Sequence, residues 1–430
     1  MSHFLGYHCS LCGAEYAPDQ VEYVCPKHGD SGNLDVVLDY TMIRYSAAAS
    51  PAALAASQDF SIWRYLPLLP VADPGCEGTP LRAVGWTPLY RADRLASTLG
   101  LNASRVFVKD DGRNPTASFK DRASAVVVAR AREIHAPVIA AASTGNAGAA
   151  LAGMAAAVAH PAVILAPQTA PPAKIAQLLM FGAKVLLVNG NYDQAFDLTL
   201  RASREFGWYC RNTGYNPFTL EGKKTAAFEI CEQFTYQMAR GTPVRWLAPD
   251  RLFVSVGDGN ILSGIHKGLK DLLALGWIDK LPKLMGVQAE GSAACANAWA
   301  ANTETITPVS AQTLADSISV DLPRDGVRAV RAVRETGGAY LVVSDADILA
   351  AMRDLARGLA VFAEPAGAAA YAGLAKAARE GIMGADETVV VVVTGNGLKD
   401  VKSAMQAAGE AVKIEPTLEA VKHVFGAAAA

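Results

Sequence analysis

The chain of 430 residues lacks several features that would settle its class at once. Its seven cysteines, three of them among the first 25 residues, have no even, regular spacing that could frame a set of disulfides. Reduced thiols or a metal site are the readings that remain. No block of like charge occurs, and 39 basic against 41 acidic residues leave a net charge of −2. That balance argues against nucleic acid or a membrane surface as the main partner. No apolar run approaches the roughly 20 residues that a spanning helix needs. The most apolar segments, "AALAGMAAAVA" and "TVVVVVTG", have the length of buried core elements. The opening "MSHFLGYHCS" has no basic start followed by an apolar core, so no signal peptide is read and the cytoplasm is the expected compartment. There is no internal repeat and, apart from an alanine-rich tip, no low-complexity tract.

What is present is a chain long enough for two domains, 51% hydrophobic, with a distinct beginning. Cys9, Cys12, Cys25 and His28 form a C-x2-C-x12-C-x2-H arrangement. Two short pairs about a dozen residues apart can close four ligands into a tetrahedron, as in a zinc ribbon. With all four positions taken by protein, such a zinc would be structural. A degenerate ribbon held by packing alone is the other reading. From about Asn33 to Pro80 the sequence suggests an arm of short irregular segments carrying Trp63.

Beyond Gly85, short runs rich in β-branched residues alternate with helical stretches: "PVIAAA", "AVILAP", "AKVLLVNG", "RLFVSV", "KLMGVQA", "GAYLVVS" and "TVVVVVTG". This is the pattern of parallel sheets covered by helices, so the fold class is α/β. Ligands of such sheets sit at the carboxyl ends of strands. Three loops at strand ends stand out. "STGNAG" (143–148) opens a helix and offers two hydroxyls, Ser143 and Thr144, with glycines that allow backbone N–H groups close to an anion. "VGDGNILSG" (256–264) reads as a phosphate cradle but is neither a Walker loop nor a dinucleotide fingerprint. In "VVVTGNGLKD" (391–400), Thr394 ends a very apolar strand.

The remaining motif is "NPTASFKDRAS" (114–124). Ser118 and Asp121 read as a capping box, which puts Lys120 in the first turn of a helix. The positive end of the helix dipole disfavours an ammonium there and pushes the amine toward its neutral form. A nucleophilic lysine beside one phosphate cradle and one carboxylate site points to a Schiff base with pyridoxal phosphate.

Six motifs in order, "NPTASFKDRAS", "STGNAG", "NPFTLEGKKTAAFEICEQ", "VGDGNILSG", "VQAEG" and "TGNGLKD", resemble threonine synthase, of the tryptophan-synthase-β-like fold type II of pyridoxal enzymes. The likeness runs from about Trp86 to Lys402. It implies two parallel-sheet α/β domains with the cofactor between them: a large one (86–125 and 222–415), a small substrate domain (126–221), a ribbon-like segment (1–35), an arm (36–85) and a tail (416–430). It implies Lys120 as the Schiff-base lysine and the base at Cα. Asn146 would bond the ring hydroxyl, Gly257, Asp258, Gly259, Asn260 and Ile261 would hold the cofactor phosphate, and Thr394 would face the pyridine nitrogen. Ser143, Thr144 and Gly145 would hold the substrate carboxylate, with Asn146 and Ala147 in the same substrate-binding loop. The family is commonly dimeric, so an amino-acid substrate and a homodimer are expected.

The sequence departs from the family where a second phosphate must bind. The family's S-T-G-N-T has Ala147 in its last place, N-S-x-N-P-x-R-L-E-G-Q-K-T has Thr213 and Thr219 for its serine and arginine, and Asp258 replaces an asparagine. Losing a guanidinium removes a bidentate phosphate clamp, and a carboxylate repels a dianion. Two enzyme readings follow. One is threonine formation from O-phosphohomoserine, with Arg324, Lys223 or Lys224 taking over the phosphate. The other is a diverged lyase or replacement enzyme acting on a neutral or cationic amino acid near Thr213, Thr219 and Asp258. A nicotinamide oxidoreductase is disfavoured because the dinucleotide fingerprint is incomplete, and a catalytically dead binding protein because Lys120 is intact.

Overall fold

The structure is a computed structural model and describes residues 3–239, 241 and 244–426. Three sheets organise it. The largest has six strands in the order Ala339–Val343, Lys283–Ala289, Arg251–Ser255, Val389–Val393, Val106–Asp110 and Leu89–Arg91. Five are parallel. The edge strand Leu89–Arg91 pairs antiparallel with Val106–Asp110, so this sheet is mixed rather than wholly parallel. The second has four parallel strands, Lys184–Val188, Ala162–Pro167, Ile139–Ala142 and Tyr209–Cys210. A three-stranded antiparallel sheet of Phe4–Cys9, Glu15–Tyr16 and Leu34–Leu38 forms the N-terminal ribbon. Its third strand runs past residue 35, the boundary expected for this segment.

Burial on both faces explains the apolar runs. In Val389–Val393, Val390 and Val392 point into one core while Val389, Val391 and Val393 point into another. A strand with a core on each side has no polar face to alternate with. Helices Lys120–Glu133, Phe218–Met238 and Asn260–Leu275 pack against one another over one side of this sheet and share its core.

Beneath the Lys120 helix lies a network of fully buried charges. Arg122 donates to Asp111 Oδ2 (2.6 Å) and to Glu229 Oε1 (2.6 Å), and Lys109 Nζ lies 2.7 Å from Glu229 Oε2. The arm is tied down in the same way, through Arg64 and Glu232 at 2.7 Å. Buried arginine and lysine persist in proteins when they are paired like this.

Candidate functional site

Because all strands of the large sheets except the edge strand Leu89–Arg91 run parallel, their carboxyl ends face one way within each sheet, and the loops that leave them converge. Loops after Ala142, Cys210, Ser255 and Val393, with the segment after Asp110, border one cavity of about 440 Å³. That size is typical of small-molecule sites. Lys120, Ser143, Thr144, Gly145, Asn146 and Ala147 line it. So do Thr213, Gly257, Asp258, Gly259, Asn260, Ile261 and Thr394. Three of the expected groups are thus brought together from positions more than 100 residues apart. Thr219 is the exception: it is buried outside the cavity lining, and its hydroxyl donates to Asn216 O (2.7 Å).

Several helices begin at this cavity without a side-chain cap, and two of them open with glycine-rich turns. One is Asn146–Ala156 and the other Asn260–Leu275. Uncapped first turns leave N–H groups and the positive dipole end available to an anion. Gly259 makes the second start possible. Its φ is +91°, and a Cβ there would lie 2.7 Å from Asp325 O, so only glycine suits both the turn and the close approach. Asp325 itself is buried and accepts from Asn260 Nδ2 (2.7 Å), from Asn33 Nδ2 (3.2 Å) and from Arg328.

Lys120 is the first residue of its helix, as the sequence predicts, but the capping box does not form. Phe119 is the N-cap and makes no side-chain cap bond. Asp121 turns back to accept from Thr116 N (2.6 Å) and from the Thr116 hydroxyl, and Ser118 Oγ is left without a partner. The Lys120 amine is lowered from its ordinary value chiefly by burial and further by Arg211, against the pull of Glu364 and Asp258. Burial is therefore the largest cause of the lowered amine.

Glu364 was not anticipated. It is buried on the cavity wall, pushed up to about 7 by burial, and held from going further by Lys120 and by a hydrogen bond from Asn146 Nδ2 (2.7 Å). Its sequence signal was weak: a carboxylate among apolar residues, just before Pro365 at a helix start. Arg211 was also missed, although it follows the strand Tyr209–Cys210 as directly as the glycine loops follow theirs. Asn212 joins that loop to the next, its Oδ1 accepting from Ala142 N (2.8 Å). Lys223 lines the cavity and donates to Asn260 Oδ1. Burial, then Arg211 and Lys120, hold its amine well below the ordinary value. Lys224 points elsewhere, paired with Glu221 (2.6 Å) and Asp271 (2.7 Å). Arg324 lines the cavity but bonds Asp193 (2.8 Å) and stacks on Phe196.

In the ribbon, the ligand atoms of Cys9, Cys12, Cys25 and His28 all lie within 4.8 Å of one another. Cys9 Sγ is 3.8 Å from His28 Nδ1, and Cys12 Sγ is 3.9 Å from Cys25 Sγ. Tetrahedral zinc, with Zn–S near 2.3 Å, puts sulfurs about 3.8 Å apart.

A buried lysine whose amine is lowered, at the meeting of two large sheets and beside helix starts open to anions, defines a class, and comparison with known proteins agrees. Residues 81–395 match the family described as pyridoxal-phosphate dependent enzyme. Among solved structures, threonine deaminase isoform 2 from Solanum lycopersicum superposes with a TM-score of 0.63 at 22% identity, covering 81% of this chain and 88% of that one. Diaminopropionate ammonia lyase from Escherichia coli gives 0.63 at 19%, covering 84% and 93%. These likenesses show the fold, that of the type II pyridoxal enzymes. Threonine synthase from Methanosarcina acetivorans is 39% identical over 428 residues, covering 98% of this chain and all of the relative. Threonine synthase from Methanocaldococcus jannaschii is 37% identical, with 97% and 98% covered. The chain belongs to the threonine synthase family of pyridoxal-phosphate-dependent enzymes.

Proposed function

We propose that the protein converts O-phosphohomoserine and water to threonine and inorganic phosphate. The observation that carries this reading is Lys120, a buried and depressed amine in a cavity where the uncapped starts of the Asn146 and Asn260 helices can each hold an anion. Pyridoxal phosphate, when bound, supplies an electron sink for charge developing on the substrate carbons. The residues do the rest. Lys120 would hold the cofactor through its amine and, when free of it, would carry protons at the substrate's Cα and Cβ, a role that a lowered amine suits. The C–O bond at Cγ breaks, phosphate leaves with its electron pair, a proton is delivered to Cγ, and water adds its hydroxyl at Cβ.

Gly257, Asp258, Gly259, Asn260 and Ile261 would hold the cofactor phosphate, with the Lys223 amine beside Asn260 as a further donor. Ser143, Thr144, Gly145 and Ala147 take the substrate carboxylate at the start of the Asn146 helix. Asn146, steadied by Glu364, would bond the ring hydroxyl, and Thr394 would offer the ring nitrogen a neutral hydroxyl. Segment 126–221 then serves as the substrate domain against 86–125 with 222–415. Cys9, Cys12, Cys25 and His28 hold a structural zinc, supported by their mutual distances. A cytoplasmic homodimer completes the proposal. Among the described residues no helix is long and apolar enough to cross a membrane.

The diverged-paralogue reading is not favoured. Relatives that share most of their length with this chain at 36–39% identity carry the name threonine synthase, and the cavity is not short of cations. The test is phosphate release from O-phosphohomoserine by the yellow holoenzyme, with borohydride fixing the cofactor on Lys120. A protein that releases no phosphate but deaminates unphosphorylated amino acids refutes the proposal.

A further inference from the structure

A fully buried guanidinium ordinarily has a carboxylate for company, and Arg122 shows this within the same chain. Arg211 does not. It is 1% exposed, Nε donates to Ser124 Oγ (3.1 Å) and Nη1 to Thr213 Oγ1 (2.7 Å). Both partners are neutral. Nη2 has no acceptor, and among the described residues no carboxylate comes within ion-pair distance of Arg211. The residue lines the cavity beside Asn212, whose Nδ2 is likewise without a partner. Burial lowers Arg211 to about 10, which still leaves it charged at neutral pH.

The cavity therefore holds more donors than one phosphate can use. Lys223 and the Asn260 helix start account for the cofactor's phosphate, and Arg324 is already engaged by Asp193 and Phe196. Where the family motif has its arginine, this chain has Thr219, buried away from the cavity with its hydroxyl spent on Asn216 O. Resting on the reading above, we propose that Arg211 binds the side-chain phosphate of the substrate, so that a guanidinium at position 211 replaces the one missing at 219. Nη2, with the amide of Asn212 and the hydroxyl of Thr213, then receives phosphate oxygens, and the charge of the dianion offsets a buried cation that is otherwise uncompensated.

The experiment uses the holoenzyme and its R211M and R211K variants. Affinities for O-phosphohomoserine and for L-homoserine, which lacks the phosphate, are read from the cofactor's absorbance, and phosphate release is followed in parallel. In R211M the affinity for O-phosphohomoserine is expected to fall by roughly 10- to 150-fold, the value of one charge-assisted contact. Affinity for L-homoserine should stay within twofold. R211K keeps the charge without the planar fork and should recover part of the loss. Unchanged binding of O-phosphohomoserine by R211M, or an equal loss of both ligands, overturns the proposal. If R211M does not retain the cofactor, R211K decides alone: a selective loss of the phosphorylated ligand supports it, and a parallel loss or none overturns it. An unaltered holoenzyme that neither binds nor cleaves O-phosphohomoserine overturns the functional reading together with this one, and differs from the other failures because no substitution is involved.

Discussion

Replacing Glu229 by glutamine should destabilise the protein by about 3–5 kcal/mol, the usual consequence of breaking a buried ion pair on one side. The structure gives an independent figure. Burial alone would raise the Glu229 carboxyl, yet Arg122 and Lys109 outweigh it and hold the group at about 2 against an ordinary 4.5. That difference corresponds to about 3 kcal/mol of preference for the charged form in the folded state. The amide removes the charge and leaves Arg122 with Asp111 as its carboxylate, beside the hydroxyls of Thr87 and Thr225, and Lys109 with the carbonyl oxygen of Thr87 and Gln233 Oε1. Urea unfolding of both proteins from pH 7 to acid measures the effect. A carboxyl with a depressed folded-state pKa stabilises fully above its unfolded value and stops doing so as pH falls toward about 2. The gap between the two proteins should therefore be widest above pH 5 and narrow on acidification. Because Arg122 lies two residues beyond Lys120, the variant should also trap less cofactor on that lysine. A loss below about 1 kcal/mol, or a gap that is the same at pH 7 and pH 3, would refute the electrostatic account.

Three further outcomes are expected. Metal analysis should find one zinc per chain, lost in Cys12→Ser together with several degrees of thermal stability; a metal-free native protein of unchanged Tm removes the zinc from the account. Gly222→Ala puts a Cβ 2.1 Å from Arg122 O where two helices cross, and calorimetry should register a loss of about 1–3 kcal/mol. In the cofactor-free protein, Glu364 is raised to about 7, so it withdraws stability as pH climbs from 4.5 through 7; Glu364→Gln should flatten that slope, and parallel curves for the two proteins would contradict it.

The loops were legible because each is a local event: an apolar strand, a glycine turn and a helix start in succession. Seven strands could be read from their β-branched runs for the same reason. Val106–Asp110 was harder, since Lys109 looks like a solvent-facing residue until Glu229, 120 residues later, is seen to neutralise it. The same blindness hid Glu364, whose meaning depends on Lys120 and Asn146, and Arg211, whose meaning is the partner it lacks. Ser118 and Asp121 misled in the opposite sense. Their spacing fits a cap, but Thr116 offers Asp121 two donors and wins. The position of Thr219 outside the cavity turns on how its helix packs, which no spacing records.

One carboxylate, Asp325, is shared by donors from three distant stretches of chain: Asn33 from the ribbon, Asn260 from the glycine loop and Arg328 from its own helix. Through this single buried side chain the N-terminal segment and the glycine loop share one anchor, so losing Asn33 would leave Asp325 to Asn260 and Arg328 alone.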